Sequence, residues 1–253
     1  MQSRATRAND SRKFPPSTDR RPIDYSPSVL PQAVLLDLDG TLVDSESFHA
    51  EAIARYMATR GVDLDERERA FVIGHAWQEI HRELRVAERL GDDLAALQAG
   101  AHAAKEHLRA EGIDIRVLDG SRELVATLVD LQLPTVIVSG SSRREIAEAL
   151  EVLGFADHLR FYMGAEDYPR GKPAPDGYLS AATRLTVDPA RCLVFEDSEA
   201  GIASAINAGM RVVATAAANL PPGQPGHQDQ HRAHRIIPQL VGVDRDFLCA
   251  IMR

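Results

Sequence analysis

The sequence predicts an α/β protein: a parallel-sheet core interrupted near its start by a separate helical unit. Two observations predict it. Apolar, strand-like runs at 33–38, 135–138, 160–163, 192–195 and 211–215 alternate with helical patterns, at spacings that crossover helices fill. Between the first and second runs, however, lie roughly a hundred residues, and a crossover needs only one helix.

Taken in order, residues 1–30 differ from all that follow. They carry Arg4, Arg7, Arg12, Lys13, Arg20 and Arg21 with Pro15, Pro16, Pro22 and Pro27, and almost no large apolar side chains. Such a segment buries too little surface to offset its ordering entropy, so it is expected to be a disordered extension. Asp10, Asp19 and Asp24 and the missing apolar face argue against an organelle-targeting peptide.

The core is assigned to 31–44 and 117–253, and the inserted helical unit to 45–116. Within the insert, Phe48, Ala52, Ile53, Tyr56 and Met57 share one helix face, and further helices are expected over 84–97 and 101–108. In the core, Ser142 with Glu145 forms a capping box, Ile146, Ala149, Leu150 and Leu153 share a face, and Gly154 is the stop. Asp176 opens a helix carrying Tyr178, Leu179, Ala182 and Leu185, and Ile202, Ala205 and Ile206 run to Gly209.

Composition excludes several classes. The net charge of −8, from 37 acidic and 29 basic residues, leaves no basic stripe for nucleic acid. No apolar stretch reaches the ~18 residues of a membrane helix, and the first thirty residues lack the apolar segment of a secretory signal. Cys192 and Cys249 are too few for a disulfide framework, and Cys192 opens an apolar run as a packed core thiol. A cytoplasmic protein acting on small molecules is expected.

Chemistry concentrates at the strand ends. The first run leads into Asp37-Leu38-Asp39-Gly40-Thr41-Leu42-Val43-Asp44, two carboxylates where ligand sites of open α/β sheets lie. The second ends in Ser139-Gly140 and the fourth in Glu196-Asp197. In a parallel sheet these ends share one edge, where each pair of carboxylates repels by several kcal/mol at an effective dielectric of ~20. A divalent cation with oxygen ligands answers that repulsion, and Mg²⁺ held by carboxylates and a substrate phosphate is a recurrent arrangement. Lys172, in the stiff Gly171-Lys172-Pro173-Ala174-Pro175 loop, adds a second positive charge.

These segments, together with Phe195-Glu196-Asp197-Ser198-Glu199-Ala200-Gly201-Ile202, resemble in order and spacing the four motifs of the haloacid dehalogenase superfamily. The resemblance covers about residues 32–245 and implies a Rossmann-like core with the four-helix cap of the first subclass. It implies Asp37 as the nucleophile that forms an aspartyl-phosphate and Asp39 as general acid/base. Leu38, Asp39, Ser139, Gly140 and Lys172 would hold the phosphoryl group. Mg²⁺ would be held by Asp37, Asp39 (through its main-chain carbonyl), Glu196 and Asp197. Asp39 distinguishes the chain from metal-free dehalogenases, and Leu38 from P-type ATPases, which carry Lys there.

Within the subclass, the implied activity is a phosphatase acting on a small phosphorylated metabolite, a sugar or polyol phosphate, as a monomer or weak homodimer. A β-phosphoglucomutase-type mutase is the alternative. His49 matches the mutase pattern, but Ile73-Gly74-His75-Ala76-Trp77 lacks its Lys and Arg, and Arg143 replaces its Asn. His49, His75, Trp77, Ser141 and Arg143 are the candidate substrate contacts, although packing against cap helices is the commoner role for a residue such as Trp77. A non-catalytic binding protein on the same fold would be expected to lack the nucleophile, and Asp37, Asp39, Lys172 and Asp197 are all present.

Other features have simpler readings. His227, His231 and His234 follow Pro221-Pro222-Gly223 in a Pro/Gly/Gln-rich stretch and read as a solvated loop, not a metal site. His81, His102 and His107 read as polar-face residues of the inserted helices. Gly171-Lys172 lacks P-loop spacing.

Overall fold

The structure is a computed structural model that describes residues 29–253 except 74, 76 and 225. The disordered arm expected over 1–30 therefore lies, but for its last two residues, outside the described residues.

The chain opens with β1 (Ala33–Leu36) and the two-residue β2 (Val43–Asp44). Five helices follow: α1 (Ser45–Thr59), α2 (Glu66–Val72), α3 (Trp77–Glu83), α4 (Val86–Leu90) and α5 (Leu94–Ala110). The chain returns through β3 (Arg116–Val117), α6 (Ser121–Asp130), β4 (Thr135–Val138), α7 (Arg143–Leu153), β5 (Phe161–Met163) and α8 (Asp176–Leu185). It closes with β6 (Cys192–Glu196), α9 (Glu199–Asn207), β7 (Arg211–Thr215), β8 (Arg235–Ile237) and α10 (Arg245–Ile251).

Six strands form one parallel sheet in the order β5-β4-β1-β6-β7-β8. β1 lies inside it, wholly buried, and alternate residues feed opposite faces. Val34 and Leu36 join Ile137, Leu193 and Phe195 under α6, α7 and α10. Ala33 and Leu35 join Val136, Val138 and Val194 under Tyr178 and Ala181 of α8 and Ile202 and Ala205 of α9. Leu36 pairs with Ile137 on one side and Phe195 on the other, so β1, β4 and β6 end level. The chain fills one side of β1 with β4 and β5 and then the other with β6, β7 and β8. This reversal is the switch point at which such sheets bind ligands.

The inserted helices have their own core, where Ile53 and Met57 of α1 meet Ile80 of α3 and Leu97 of α5. The same two long helices also face the sheet side, through Phe48 and Ala52 of α1 and Ala104 and Leu108 of α5. Their entry and exit are strapped by the antiparallel pair β2–β3 and by Asp44 with Arg116 at 2.9 Å.

One expectation needs correction. The single helix expected over 84–97 is broken by left-handed Arg85 and Gly91, and α5 restarts with Asp93 accepting from the Ala96 N–H at 2.8 Å. Leu84, Val86 and Leu97 nonetheless meet the same core, so the apolar pattern hides the breaks. The stretch of His227, His231 and His234 after Pro222 is a loop as expected, and β8, a short, mostly exposed edge strand with no apolar run to announce it, follows directly on it. The Ser142–Glu145 capping box and the left-handed Gly154 stop are as expected. Cys192 is a buried free thiol, and no helix among the described residues is long and apolar enough to cross a membrane.

Candidate active site

Asp37 follows β1 and stays in register with the sheet, its N–H donating to the Phe195 carbonyl at 2.9 Å. The chain then curls: the Leu38 carbonyl accepts from Leu42 at 2.8 Å and Val43 at 3.1 Å, and Gly40 sits in the left-handed region. A Cβ on Gly40 would lie 2.1 Å from Asp197 Oδ2, so this turn brings the first motif against the fourth only because position 40 has no side chain. Thr41 Oγ1 donates to Asp197 Oδ1 at 3.2 Å. Among the described hydrogen bonds, the N–H groups of Leu38, Asp39 and Gly140 have no protein acceptor. Leu38 contributes only its backbone here, because its side chain is in the core.

Asp37, Glu196 and Asp197 each offer a carboxylate oxygen to a cluster within 4.8 Å. Lys172 reaches it from the loop after β5, donating to Asp37 Oδ1 and, at 2.6 Å, to Glu196 Oε1. Glu196 is wholly buried. Oε1 also accepts from Tyr178 OH at 3.0 Å, and Oε2 accepts from the Asp197 N–H at 2.9 Å and from Ser198 N–H and Oγ at 3.0 Å each. Both its oxygens are thus committed to protein donors. It holds Lys172 on one side and the Asp197 loop on the other.

The carboxylate of Asp39 turns away from the other three. It accepts from the Ser45 hydroxyl on Oδ1, and on Oδ2 from Ser139 at 3.1 Å and Ser141 at 2.6 Å. Ser139 also receives the Ser141 N–H at 3.0 Å, and its carbonyl accepts from Tyr168 OH at 2.6 Å. Ser45 opens α1, so Asp39 is tied both to the inserted helices and to the sheet edge.

The electrostatics show a shortage of positive charge. Burial pushes Asp37 up to about 8, with Glu196 and Asp39 adding to the shift and Lys172 opposing it. Burial and the charges of Glu196 and Asp37 likewise raise Asp197. Burial alone would lower Lys172, but Asp37 and Glu196 hold its ammonium well above the usual range. Against burial, Lys172 and the Asp197–Ser198 donors keep Glu196 below it. One ammonium among three clustered carboxylates, all oxygen donors, suits a hard divalent cation.

A family model described as haloacid dehalogenase-like hydrolase matches residues 31–209. The chain belongs to that family. Within it, the chain is 35% identical over 182 residues to validoxylamine A 7'-phosphate phosphatase of Streptomyces hygroscopicus subsp. limoneus, covering 71% of this chain and 83% of the relative. It is 34% identical over 183 residues to hexitol phosphatase A of Escherichia coli, covering 71% and 81%. A putative β-phosphoglucomutase from Thermotoga maritima superposes with a TM-score of 0.71 at 23% identity, covering 87% of this chain and 98% of that one, a likeness in fold.

The remaining candidates of this family member separate into near and far. His49 of α1 is near: its ring meets Trp77 edge-on at 4.4 Å, and burial followed by the Lys105 charge pushes its pKa down to about 4 against the pull of Asp39. Trp77 packs on the inserted core and meets the His49 ring. His75 stacks on Phe71 at 3.9 Å and touches none of the acidic residues among the described contacts. The Arg143 guanidinium is taken by Asp167 at 2.8 Å and lies over Tyr162, so it belongs to the outer edge of the sheet. His227, His231 and His234 bind separate partners, namely the Leu220 carbonyl, Asp229 and the Val212 N–H, and form no common site. His81 bonds the Asp92 carbonyl, His107 the Ala103 carbonyl, and His102 meets Arg144.

Sequence reasoning missed Ser45, Thr41, Tyr178 and Lys105. Tyr178 reads in the sequence only as part of a helix pattern; it packs in the core, and its hydroxyl donates to Glu196. Lys105 lies mid-helix on α5 with no local signal, and its nearness to His49 follows only from the close packing of α1 on α5.

Proposed function

We propose that this hydrolase is a Mg²⁺-dependent phosphatase of small phosphorylated metabolites, sugar or polyol phosphates, working through an aspartyl-phosphate on Asp37. The observation that carries it is the ammonium of Lys172 set between Asp37 and Glu196 beside Asp197, at the sheet's switch point. The names of the two relatives, phosphatases of validoxylamine A 7'-phosphate and of hexitols, agree with this substrate class.

Asp37, Asp197 and the Asp39 main chain would hold the metal. Glu196 would contribute charge from behind, since its oxygens already serve Lys172, Tyr178 and the Asp197–Ser198 peptide. Bound there, Mg²⁺ supplies neutralising charge and polarises the phosphoryl group. The N–H groups of Leu38, Asp39 and Gly140, which have no acceptor among the described hydrogen bonds, cradle the phosphoryl oxygens with the Ser139 hydroxyl and Lys172. An Asp37 carboxylate oxygen attacks phosphorus while the ester P–O bond breaks, and Asp39 gives its proton to the leaving oxygen. Water then attacks the phosphoryl group, Asp39 takes the water's proton, the Asp37–P bond breaks, and inorganic phosphate leaves. The inserted helices cover this edge, and His49, Trp77 and Lys105 contact the non-reacting part of the substrate. His75 and Arg143 are outside this set.

The test is phosphate release from a panel of sugar and polyol phosphates with and without Mg²⁺. Asp37→Asn should be folded and inactive, and excess EDTA should abolish turnover. Activity surviving either one removes the assignment. Conversion of β-glucose 1-phosphate to glucose 6-phosphate, primed by glucose 1,6-bisphosphate and faster than any phosphate release, would make the protein a mutase instead.

A further inference from the structure

The stretch after Pro222, polar and rich in His and Gln, is tied to the active site by one buried amide. Gln230 is only 5% exposed, a rare burial for glutamine. Its Nε2 donates to the Asp197 carbonyl at 2.6 Å and to the Thr215 carbonyl at 2.8 Å. It thus joins the loop after β6 to the end of β7. The Asp197 backbone is held on both sides of its Cα, because the Asp197 N–H, in the preceding peptide unit, donates to Glu196 Oε2 at 2.9 Å. The loop that carries Gln230 is itself anchored. Asn219 and Gln228 bond each other twice, Asn219 Nδ2 to the Gln228 carbonyl and Gln228 N–H to Asn219 Oδ1, each at 2.9 Å. Gln228 Oε1 then accepts the Glu199 N–H at 3.0 Å, in the first turn of α9.

We infer that Gln230 is a positioning residue that aims the Asp197 carboxylate into the metal cluster. The inference rests on the proposed role of Asp197 as a metal-holding residue. Among the described hydrogen bonds the Asp197 side chain has one, from Thr41, so its direction is set chiefly by its backbone. That backbone has Glu196 beneath it and Gln230 above it. Without the Gln230 amide, the carbonyls of Asp197 and Thr215 lose their shared donor, and the Asp197–Ser198 peptide, held then only by the Ser198 N–H on Glu196 Oε2, tilts to bring its carbonyl to water. The change in the Asp197 backbone torsions moves the carboxylate away from Asp37. Groups that orient a ligand without touching the metal typically govern its affinity by about 10–100-fold. Gln230 touches neither substrate nor metal, so it acts on metal occupancy and not on the chemical steps.

Calorimetric titration of the metal-free full chain with Mg²⁺ tests this, comparing wild type, Gln230→Leu and Gln228→Ala, with kcat measured at saturating Mg²⁺. Gln230→Leu should raise the Mg²⁺ Kd at least about tenfold while kcat at saturation stays within roughly twofold. Gln228→Ala, which keeps both Gln230 bonds, should stay within roughly threefold in Kd. Unchanged Mg²⁺ affinity in Gln230→Leu, with only a lower Tm, overturns the inference and makes Gln230 a structural tie. An equal rise in Gln228→Ala assigns the effect to the loop and also overturns it. If Gln230→Leu does not fold, Gln230→Asn, which keeps the amide but withdraws its reach, is read by the same criterion. A wild-type chain that binds no Mg²⁺ overturns the metal reading itself, whereas wild-type binding with unaltered variants overturns this inference alone.

Discussion

A Cβ on Gly201 would lie 1.6 Å from Glu196 Oε1, so the first turn of α9 and the most buried carboxylate of the site occupy one space that only glycine leaves free. Glu196 in turn fixes Lys172 at 2.6 Å and the Asp197 N–H at 2.9 Å. A small residue on a helix thereby decides where the cation and an acidic partner stand.

Gly201→Ala should therefore do more than overpack. Displacing Glu196 costs about 1–3 kcal/mol of stability, and the shift of Lys172 and Asp197 should lower kcat/KM by roughly a hundredfold. Thermal melts and steady-state kinetics read the two effects. A destabilised variant with wild-type kcat/KM would mean that Glu196 does not organise the site.

Lys172→Met leaves Asp37 and Glu196 buried without their shared cation, a change that costs about 3–5 kcal/mol when one partner of a buried pair is removed. The pH dependence has a definite sign. Lys172 now opposes the rise of Asp37 and holds Glu196 down, so its loss raises both folded-state pKa values. Carboxyls with raised folded pKa values destabilise when ionised and recover when protonated. The deficit relative to wild type should shrink as pH falls from about 8 to 5, read by urea unfolding at each pH. A constant deficit would place the ionic contact outside the stability of the fold.

Most of this edge was legible because its chemistry is local. Asp37, Asp39, Ser139, Lys172 and Asp197 follow strands or a proline-flanked loop, and the level ends of β1, β4 and β6 gather them. What escaped is what depends on side-chain direction or long-range packing. Glu196 and Asp197 are neighbours in one cluster with Asp37, yet both Glu196 oxygens are taken by protein donors whereas Asp197 accepts from Thr41, a difference no spacing encodes. The charge of Lys105 acts on His49 from another helix, and Gln230 reaches Asp197 from a stretch whose composition reads as solvated. The breaks at Arg85 and Gly91 were hidden because apolar residues on both sides serve one core.

His49 should make the fold sensitive to mild acid. Burial, then Lys105, depress it from 6.5 to about 4 despite the attraction of Asp39, and Trp77 covers the ring. The unfolded chain accepts a proton on His49 below about 6.5, whereas the folded chain resists until about 4, so stability is lost as pH falls through this window. At 1.36 kcal/mol per unit, the loss is at most roughly 3 kcal/mol by pH 4. The carboxylates titrate in the same range, so the informative quantity is the difference between wild type and His49→Gln. The variant's stability should fall less between pH 6.5 and 4, and parallel curves would show that His49 titrates normally.

Asp39 offers the sharpest test of the chemistry. Three hydroxyls hold its carboxylate away from Asp37, Ser45 from α1 and Ser139 and Ser141 from the loop after β4, so it is oriented independently of the cluster around Lys172. An acid placed this way matters in proportion to the need of the leaving oxygen for a proton. A sugar alkoxide needs one, while nitrophenolate leaves with little help. Asp39→Asn keeps the shape and removes the proton, so turnover of a sugar phosphate should fall by about 10²–10⁴ and that of p-nitrophenyl phosphate by much less in the phosphorylation step. Rapid quench separates the two half-reactions, since water attack on the aspartyl-phosphate also needs Asp39 as base. Phosphoenzyme should accumulate from the nitrophenyl ester in the variant. Equal slowing of phosphorylation with both esters would remove Asp39 as the acid and leave it only its hydrogen bonds to the three serines.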